Sequence, residues 1–333
     1  MPKPAPVVPR HWSRRPDLRP TNYARFRILT QTEYLDKKKE LSIPKFDSDQ
    51  PALFKDAFLD IPAIGKWFKK DAFLDVPLKN KLDKHKPNTF RYPQELNTAY
   101  LEQYGDAIVP LELTRSSPEN TLGNEAFERF EAPLALLLQH MSAAEAQETS
   151  LYLAQHSLAD LPAPLQEDLP MPSTFLSHLN ARGDIYASSL WMGRPPTRTP
   201  LHRDPNPNLF VQLAGKKTIR MMTPEVGRMV FETVRQQIQG PGGDARMRGE
   251  EMMQGAEMEA METAVWNKDE DGGMASATGW ETTLRSGDAL YIPNGWWHAV
   301  RGIGGGANAS VSTVCDLVCV CLLTVVQANW WFR

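Results

Sequence analysis

His202 and Asp204 stand two residues apart in Thr199-Pro-Leu-His-Arg-Asp-Pro-Asn-Pro-Asn-Leu-Phe-Val-Gln-Leu-Ala-Gly-Lys-Lys217. In an extended segment, side chains at that spacing leave the same face, so one imidazole and one carboxylate can reach a single metal ion. A second imidazole is available from Gly287-Asp-Ala-Leu-Tyr-Ile-Pro-Asn-Gly-Trp-Trp-His298, where a strand runs into a proline turn and leaves His298 at its rim. Two histidines and one carboxylate on one face of an octahedral ion are the ligand set of non-haem Fe(II) oxygenases, with three positions left open for chemistry. Alone, a His-x-Asp pair is a weak pattern that a hydrogen-bonded surface pair also satisfies. Lys217 adds to it by opening a β-rich run, where a buried ammonium is costly without an anionic partner such as the distal carboxylate of 2-oxoglutarate. The plainer reading is a solvated lysine at a strand start, which one of Lys216 and Lys217 must be.

These residues also carry a family resemblance. The T-P-L-H-x-D-P…N-L-F-V-Q…G-K-K block, the G-D-x-L-Y-I-P-x-x-W-W-H block and Leu151-Tyr-Leu-Ala-Gln155 resemble the cupin-like JmjC hydroxylases, which include the asparaginyl hydroxylase of hypoxia-inducible factor. The likeness runs from about Ala107 to His298. It implies Fe(II) held by His202, Asp204 and His298, with Tyr152 and Lys217 on the distal carboxylate of 2-oxoglutarate. It further implies a hydroxyl from Thr199 at that carboxylate, and Asn208 beside the cosubstrate. The implied fold is α+β with a mainly β core, a double-stranded β-helix of the cupin or jelly-roll type with flanking N-terminal helices. The implied reaction consumes 2-oxoglutarate and O2, releases succinate and carbon dioxide, and hydroxylates a protein side chain. N-demethylation would instead need a methyl-lysine or methyl-arginine in the same place.

Near the C-terminus the chain departs from that pattern. In related proteins the strand after the distal histidine looks like A-S-V-N-W-W-F, with its Asn near iron and cosubstrate. Here Ala307-Asn-Ala-Ser-Val311 is separated from Asn329-Trp-Trp-Phe-Arg333 by residues 312–328, so the resemblance puts the cosubstrate-side amide at Asn329. Deleting Val311 to Gln327 restores Ala-Ser-Ala-Asn-Trp-Trp-Phe-Arg, and the codons for Val311-Ser312 and Gln327 admit ordinary splice signals. The hypothesis is a retained intron, and a transcript that keeps those codons sinks it. A translated run must displace or replace the last core strand, which makes an inactive cupin-type binding scaffold the alternative to a hydroxylase. A JmjC lysine demethylase is a third reading, disfavoured by the lack of reader domains or zinc-ligand clusters. The run is also too short and too polar at Asp316 for a membrane anchor, which needs about 20 apolar residues.

The elements that must position these groups show in the periodicity. Residues 185–192, 208–213, 218–222 and 289–292 are short β-rich runs bounded by Gly, Pro and Asn, spaced as in a barrel or sandwich. From Leu96 to Asp160 the spacing is mostly helical, as in Ala126-Phe-Glu-Arg-Phe-Glu-Ala-Pro-Leu-Ala-Leu-Leu-Leu138, interrupted by the strand-like residues 107–113. Residues 225–278 read as an insertion with a Met-rich helical stretch, either a lid over the barrel mouth or a surface excursion. The expected organisation is a flexible tail over 1–50, a helical flank over 51–160 and a catalytic barrel over 161–333 with an atypical segment at 311–328. The flank contains an octapeptide, Lys55–Pro62, that recurs at Lys70–Pro77; two copies are too few for a solenoid.

Lys and Arg total 37 against 40 Asp and Glu, so no basic excess points to nucleic acid, and a protein is the expected partner. Homodimers occur among related proteins, but no a/d stripe here places an interface. The three cysteines, Cys315, Cys319 and Cys321, exclude a disulfide framework and favour a reducing compartment, cytoplasmic or nuclear. The proline-rich N-terminus lacks an apolar signal core and suits an amphipathic transit helix poorly, leaving mitochondrial import as a minority reading.

Overall fold

Alternating side chains dictate the architecture. In Asn208-Leu-Phe-Val-Gln-Leu-Ala214, Leu209, Val211 and Leu213 pack into one apolar cluster, while Phe210 joins another on the opposite face. A strand buried on both faces must lie between two layers. A computed structural model describes residues 12–13, 49–69, 95–115, 126–143, 149–171, 185–238, 255–266 and 279–315. Its strands begin with β1 (Trp12–Ser13), β2 (Ala52–Phe54), β3 (Phe68–Lys69), β4 (Glu95–Leu96), β5 (Ile108–Arg115), β6 (Ala126–Pro133) and β7 (Thr149–Ser157). They continue with β8 (Ile185–Gly193), β9 (Thr197–Arg203), β10 (Asn208–Ala214), β11 (Lys216–Met222), β12 (Gly279–Arg285), β13 (Ala289–Ile292), β14 (Trp297–Ile303) and β15 (Asn308–Cys315). The helices are α1 (Pro62–Lys66), α2 (Thr98–Leu101), α3 (Leu134–Ser142), α4 (Ala163–Glu167), α5 (Pro224–Gln237) and α6 (Gly255–Trp266).

Two sheets form a jelly-roll core. The smaller runs β1-β12-β11-β14-β9 and the larger β2-β13-β10-β15-β8-β7-β5-β6, antiparallel throughout except for the β1–β12 pair. Between them lie Phe210, Ile219, Met221, Leu284, Leu290, Ile292 and Val300. Outside the larger sheet, α1, α3 and α4 contribute to a cluster that includes Trp67, Leu137, Leu138 and Leu165. There Asp168, fully buried, accepts hydrogen bonds from Lys66 Nζ, Trp67 Nε1 and Tyr100 Oη and ties three separate segments together.

Two expectations change. The helical spacing over 126–133 belongs to a strand: β6 pairs with β5 along its whole length, and α3 begins only after Pro133, which caps it. Phe127 and Phe130, three apart, fit a helix, but backbone pairing with β5 decides the outcome, as tertiary context often overrides local spacing. Likewise the 149–157 segment is β7, so much of the expected helical flank widens the larger sheet.

The interrupted C-terminal pattern does not cost the core its last strand. β15, made of Asn308 to Cys315, lies between β10 and β8 and pairs with both, in register from Ser310 to Val314 on each side, with a shift at Gln212/Ala214 against β10 and one at Val314/Cys315 against β8. The intervening run itself supplies Ser312 to Cys315 of that strand. Asn329 lies outside the described residues, as does the second octapeptide copy; the first copy forms the turn between β2 and α1, with Phe58 buried.

The described parts of the insertion, α5 and α6, pack on the outer face of the smaller sheet. Val230, Phe231, Val234, Met261 and Val265 meet Leu201, Met222, Trp297 and Ala299 there. Trp297 and Ala299 flank His298 in an alternating strand, so these helices cover the face opposite that histidine and buttress it. Gly227 makes the approach possible, since a Cβ would fall 2.1 Å from Trp297 Cγ. Thr223 caps α5 by accepting from Val226 N–H. Met258 and Met261 are core packing. Among the described residues no helix is long and apolar enough to cross a membrane.

Candidate metal centre

His202 on β9 and His298 on β14 are cross-strand register partners, with ring centroids 4.2 Å apart. A β-bulge sets the step from 199 to 202 on β9 against that from 298 to 300 on β14, so Thr199 opposes the inward-facing Val300. Asp204 follows the end of β9. Its Oδ1 is 3.8 Å from His202 Nε2 and its Oδ2 3.6 Å from His298 Nε2. One ligand atom from each of the three residues lies within 4.8 Å of the others.

The protonation pattern suits a cation. His202 Nδ1 lies 2.8 Å from the Pro200 carbonyl, which can only accept, so Nδ1 carries a hydrogen and Nε2 is the nitrogen turned towards Asp204. His298 Nδ1 faces the Trp296 carbonyl more loosely, at 3.4 Å. Burial, together with the neighbouring His202, pushes His298 down to about 4 against the opposing pull of Asp204. Both imidazoles are buried, at 6% and 3% exposure, and His298 is neutral at physiological pH, the form that a metal ion would need. Asn208 Nδ2 donates to Asp204 Oδ2 at 2.8 Å, and Ser312 Oγ donates to Asn208 Oδ1 at 2.7 Å. Metal-ligating carboxylates usually have such support.

A second feature faces the same barrel interior. Lys217 on β11 is 2% exposed, and its Nζ donates to Tyr152 Oη at 3.1 Å and Ser310 Oγ at 2.8 Å. Among the described residues no carboxylate pairs with it. Burial pushes its ammonium from 10.5 down to about 7. Phe210 and Tyr152 lie beneath it, with ring centroids 5.3 and 5.8 Å from Nζ. A buried cation with only neutral partners is the orphan that an anionic ligand would satisfy. Burial and the charge of Glu112 raise the Tyr152 phenol well above its ordinary value, against a hydrogen bond with Thr197, so it stays a neutral donor. Gly193 makes room for that ring: a Cβ there would lie 2.4 Å from Tyr152 Cδ2.

Of the residues singled out in the sequence, His202, Asp204, His298 and Asn208 come together at one end of the interior, and Lys217 and Tyr152 form the second pocket. Thr199 is half-buried on the β9 face nearby. Three residues escaped notice. Ser310, Ser312 and Thr197 are small polar residues whose only signal is alternation, Ala309-Ser-Val-Ser312 in the strand after His298 and Thr197-Arg-Thr199 before the His-x-Asp block. Ser312 stands next after Ala309-Ser-Val311, where the family-like pattern carries its Asn.

Comparison with known proteins identifies the family. A family model described as a cupin-like domain matches residues 46–333. Jumonji C domain-containing protein 5 of Drosophila melanogaster is 24% identical over 272 residues, covering 79% of this chain and 54% of that protein. Lysine-specific demethylase 8 of Danio rerio is 30% identical over 152 residues, 46% of this chain and 33% of its own. Its Xenopus tropicalis namesake is 28% identical over 160 residues, 46% of this chain and 30% of its own. The chain therefore spans about half the length, or less, of these relatives.

Proposed function

The chain belongs to the cupin-like, JmjC-type domain family, and from that premise we propose that it is an Fe(II)- and 2-oxoglutarate-dependent oxygenase that hydroxylates a protein side chain. The observation that carries this reading is Lys217, a buried ammonium without a carboxylate, in the same interior as His202, Asp204 and His298. Two neutral imidazoles and one carboxylate would hold the metal and leave it one positive charge to share with anionic ligands. When bound, Fe(II), 2-oxoglutarate and O2 supply the oxidising power for C–H hydroxylation.

The chain's own residues do the rest. Lys217 neutralises a distal carboxylate while Tyr152 and Ser310 fix its rotation, so the length of the acid is measured from the metal ligands to β11. Thr199 adds a hydroxyl on the same side. Asn208 holds Asp204, and the apolar wall of Phe210, Met221 and Leu290 keeps bulk water from the interior. The pairing of β15 with both β10 and β8 supports this reading over an inactive scaffold.

Comparing oxidised peptides from a proteome treated with and without the protein, Fe(II), 2-oxoglutarate and O2 tests the proposal. A gain of one oxygen on defined side chains supports it, and no 2-oxoglutarate-dependent product opposes it. Demethylation is the second reading, because two relatives are named as lysine-specific demethylases. Product mass separates the two, since loss of a methyl group from lysine replaces the gain of oxygen.

A further inference from the structure

We propose that Ser312 is a positioning residue of the metal site: its hydroxyl holds the Asn208 amide in the orientation that donates to Asp204. This rests on reading His202, Asp204 and His298 as a metal site. The polarity of the chain of hydrogen bonds follows from its end. An ionised carboxylate only accepts, so the Asn208 atom facing Asp204 Oδ2 at 2.8 Å must be Nδ2. The amide oxygen is then turned to Ser312 Oγ at 2.7 Å, and the hydroxyl must donate. A flipped amide would set its oxygen against the carboxylate, two acceptors in a buried place.

Ser312 is well placed to prevent that flip. It is buried in a central strand, opposite Phe210 of β10 and Ser189 of β8. Val311 and Thr313 point the other way, and Val311 enters the core outside the larger sheet. Two-sided pairing thus fixes the height and direction of the hydroxyl more firmly than a loop would. Where the family-like pattern has an amide that itself lies near iron and cosubstrate, this chain has a hydroxyl whose bond is to Asn208. The effect on the metal is therefore indirect, transmitted through one amide to one carboxylate.

Co(II) titration of the full chain, with affinity read from the ligand-field spectrum, tests this on wild type, S312A, S312T, N208A and the double variant N208A/S312A. Supporting groups around metal ligands are worth roughly 10- to 100-fold in metal affinity. One step further out, S312A should weaken Co(II) binding by about 3- to 10-fold, and S312T, which keeps the hydroxyl, should restore it. In the N208A background the serine should no longer matter, because its effect passes through that amide. Metal-free thermal melting followed in parallel separates positioning from folding: S312A should melt near wild type while its affinity falls. Unchanged affinity in S312A, failure of S312T to restore it, or an equal loss in both backgrounds overturns the proposal. Wild type that binds no Co(II) overturns the metal-site reading itself, and this inference with it.

Discussion

Replacing Lys217 by methionine should make the ligand-free protein more stable while abolishing its affinity for 2-oxoglutarate. Methionine has a similar length and no charge to desolvate. Burial holds the Lys217 ammonium at about 7 instead of 10.5. At about 1.4 kcal/mol per pH unit, that gap sets roughly 4 to 5 kcal/mol against folding at pH 7. The variant also loses hydrogen bonds to Tyr152 and Ser310, worth about 1 kcal/mol each, so the net gain is about 2 to 3 kcal/mol. For a chain of this size that is a rise in melting temperature of about 5 °C. The sign with pH is fixed by the direction of the shift. Between pH 7 and 10.5 the unfolded chain binds more protons at this lysine than the folded one, so wild-type stability rises with pH in that window. The advantage of the variant is therefore constant below about 7 and shrinks by about 1.4 kcal/mol per pH unit above it. Thermal denaturation at pH 6, 7 and 8.5 without cosubstrate, with calorimetric 2-oxoglutarate titration of the Mn(II)-loaded protein, measures both effects. A variant less stable than wild type at every pH, or one that keeps wild-type affinity for 2-oxoglutarate, refutes the reasoning.

Other outcomes follow from the same contacts. Because burial holds Lys217 at about 7 in the ligand-free protein, 2-oxoglutarate must bind with proton uptake above that pH. Its Kd should rise roughly tenfold per pH unit from 7 until the lysine of the complex titrates, whereas a flat profile would mean that Lys217 does not meet the carboxylate. Gly193→Ala puts a methyl group 2.4 Å from the Tyr152 ring, so 2-oxoglutarate affinity should fall about tenfold while Co(II) affinity is unchanged. Asp168→Asn leaves Lys66, Trp67 and Tyr100 facing a neutral amide and should cost about 3 kcal/mol in a urea melt. Burial alone would raise the Asp168 carboxyl, but those donors hold it below its ordinary value, so its contribution is present above that value and lost as pH falls through the depressed one.

The clustering of His202, Asp204 and His298 and the two-sheet core were legible because they depend on short-range rules. His202 and Asp204 share a face by strand period, and the runs at 208–213, 218–222 and 289–292 alternate as buried strands do. Lys217 was legible as a conflict, a charge at the start of an apolar run. The strand at 126–133 was not, since Phe127 and Phe130 satisfy a helical spacing and only β5, whose approach no local pattern announces, settles the matter. Ser310 and Ser312 were hidden by the displaced Asn-Trp-Trp-Phe, which drew attention to Asn329. A central strand needs only alternation and two neighbours, and Asn308 to Cys315 have both. The insertion was ambiguous for a related reason: the apolar faces of α5 and α6 say that something is covered, while Gly227 against Trp297 says what.

The most direct test of the central claim is an anaerobic titration of the full chain with Fe(II) and then 2-oxoglutarate, followed by visible absorption. A metal-to-ligand charge-transfer band should develop with one equivalent of each, disappear in His298→Ala, and fail to form in Lys217→Met at cosubstrate concentrations that saturate wild type. Wild-type protein that shows no such band at saturating Fe(II) and 2-oxoglutarate would contradict the account.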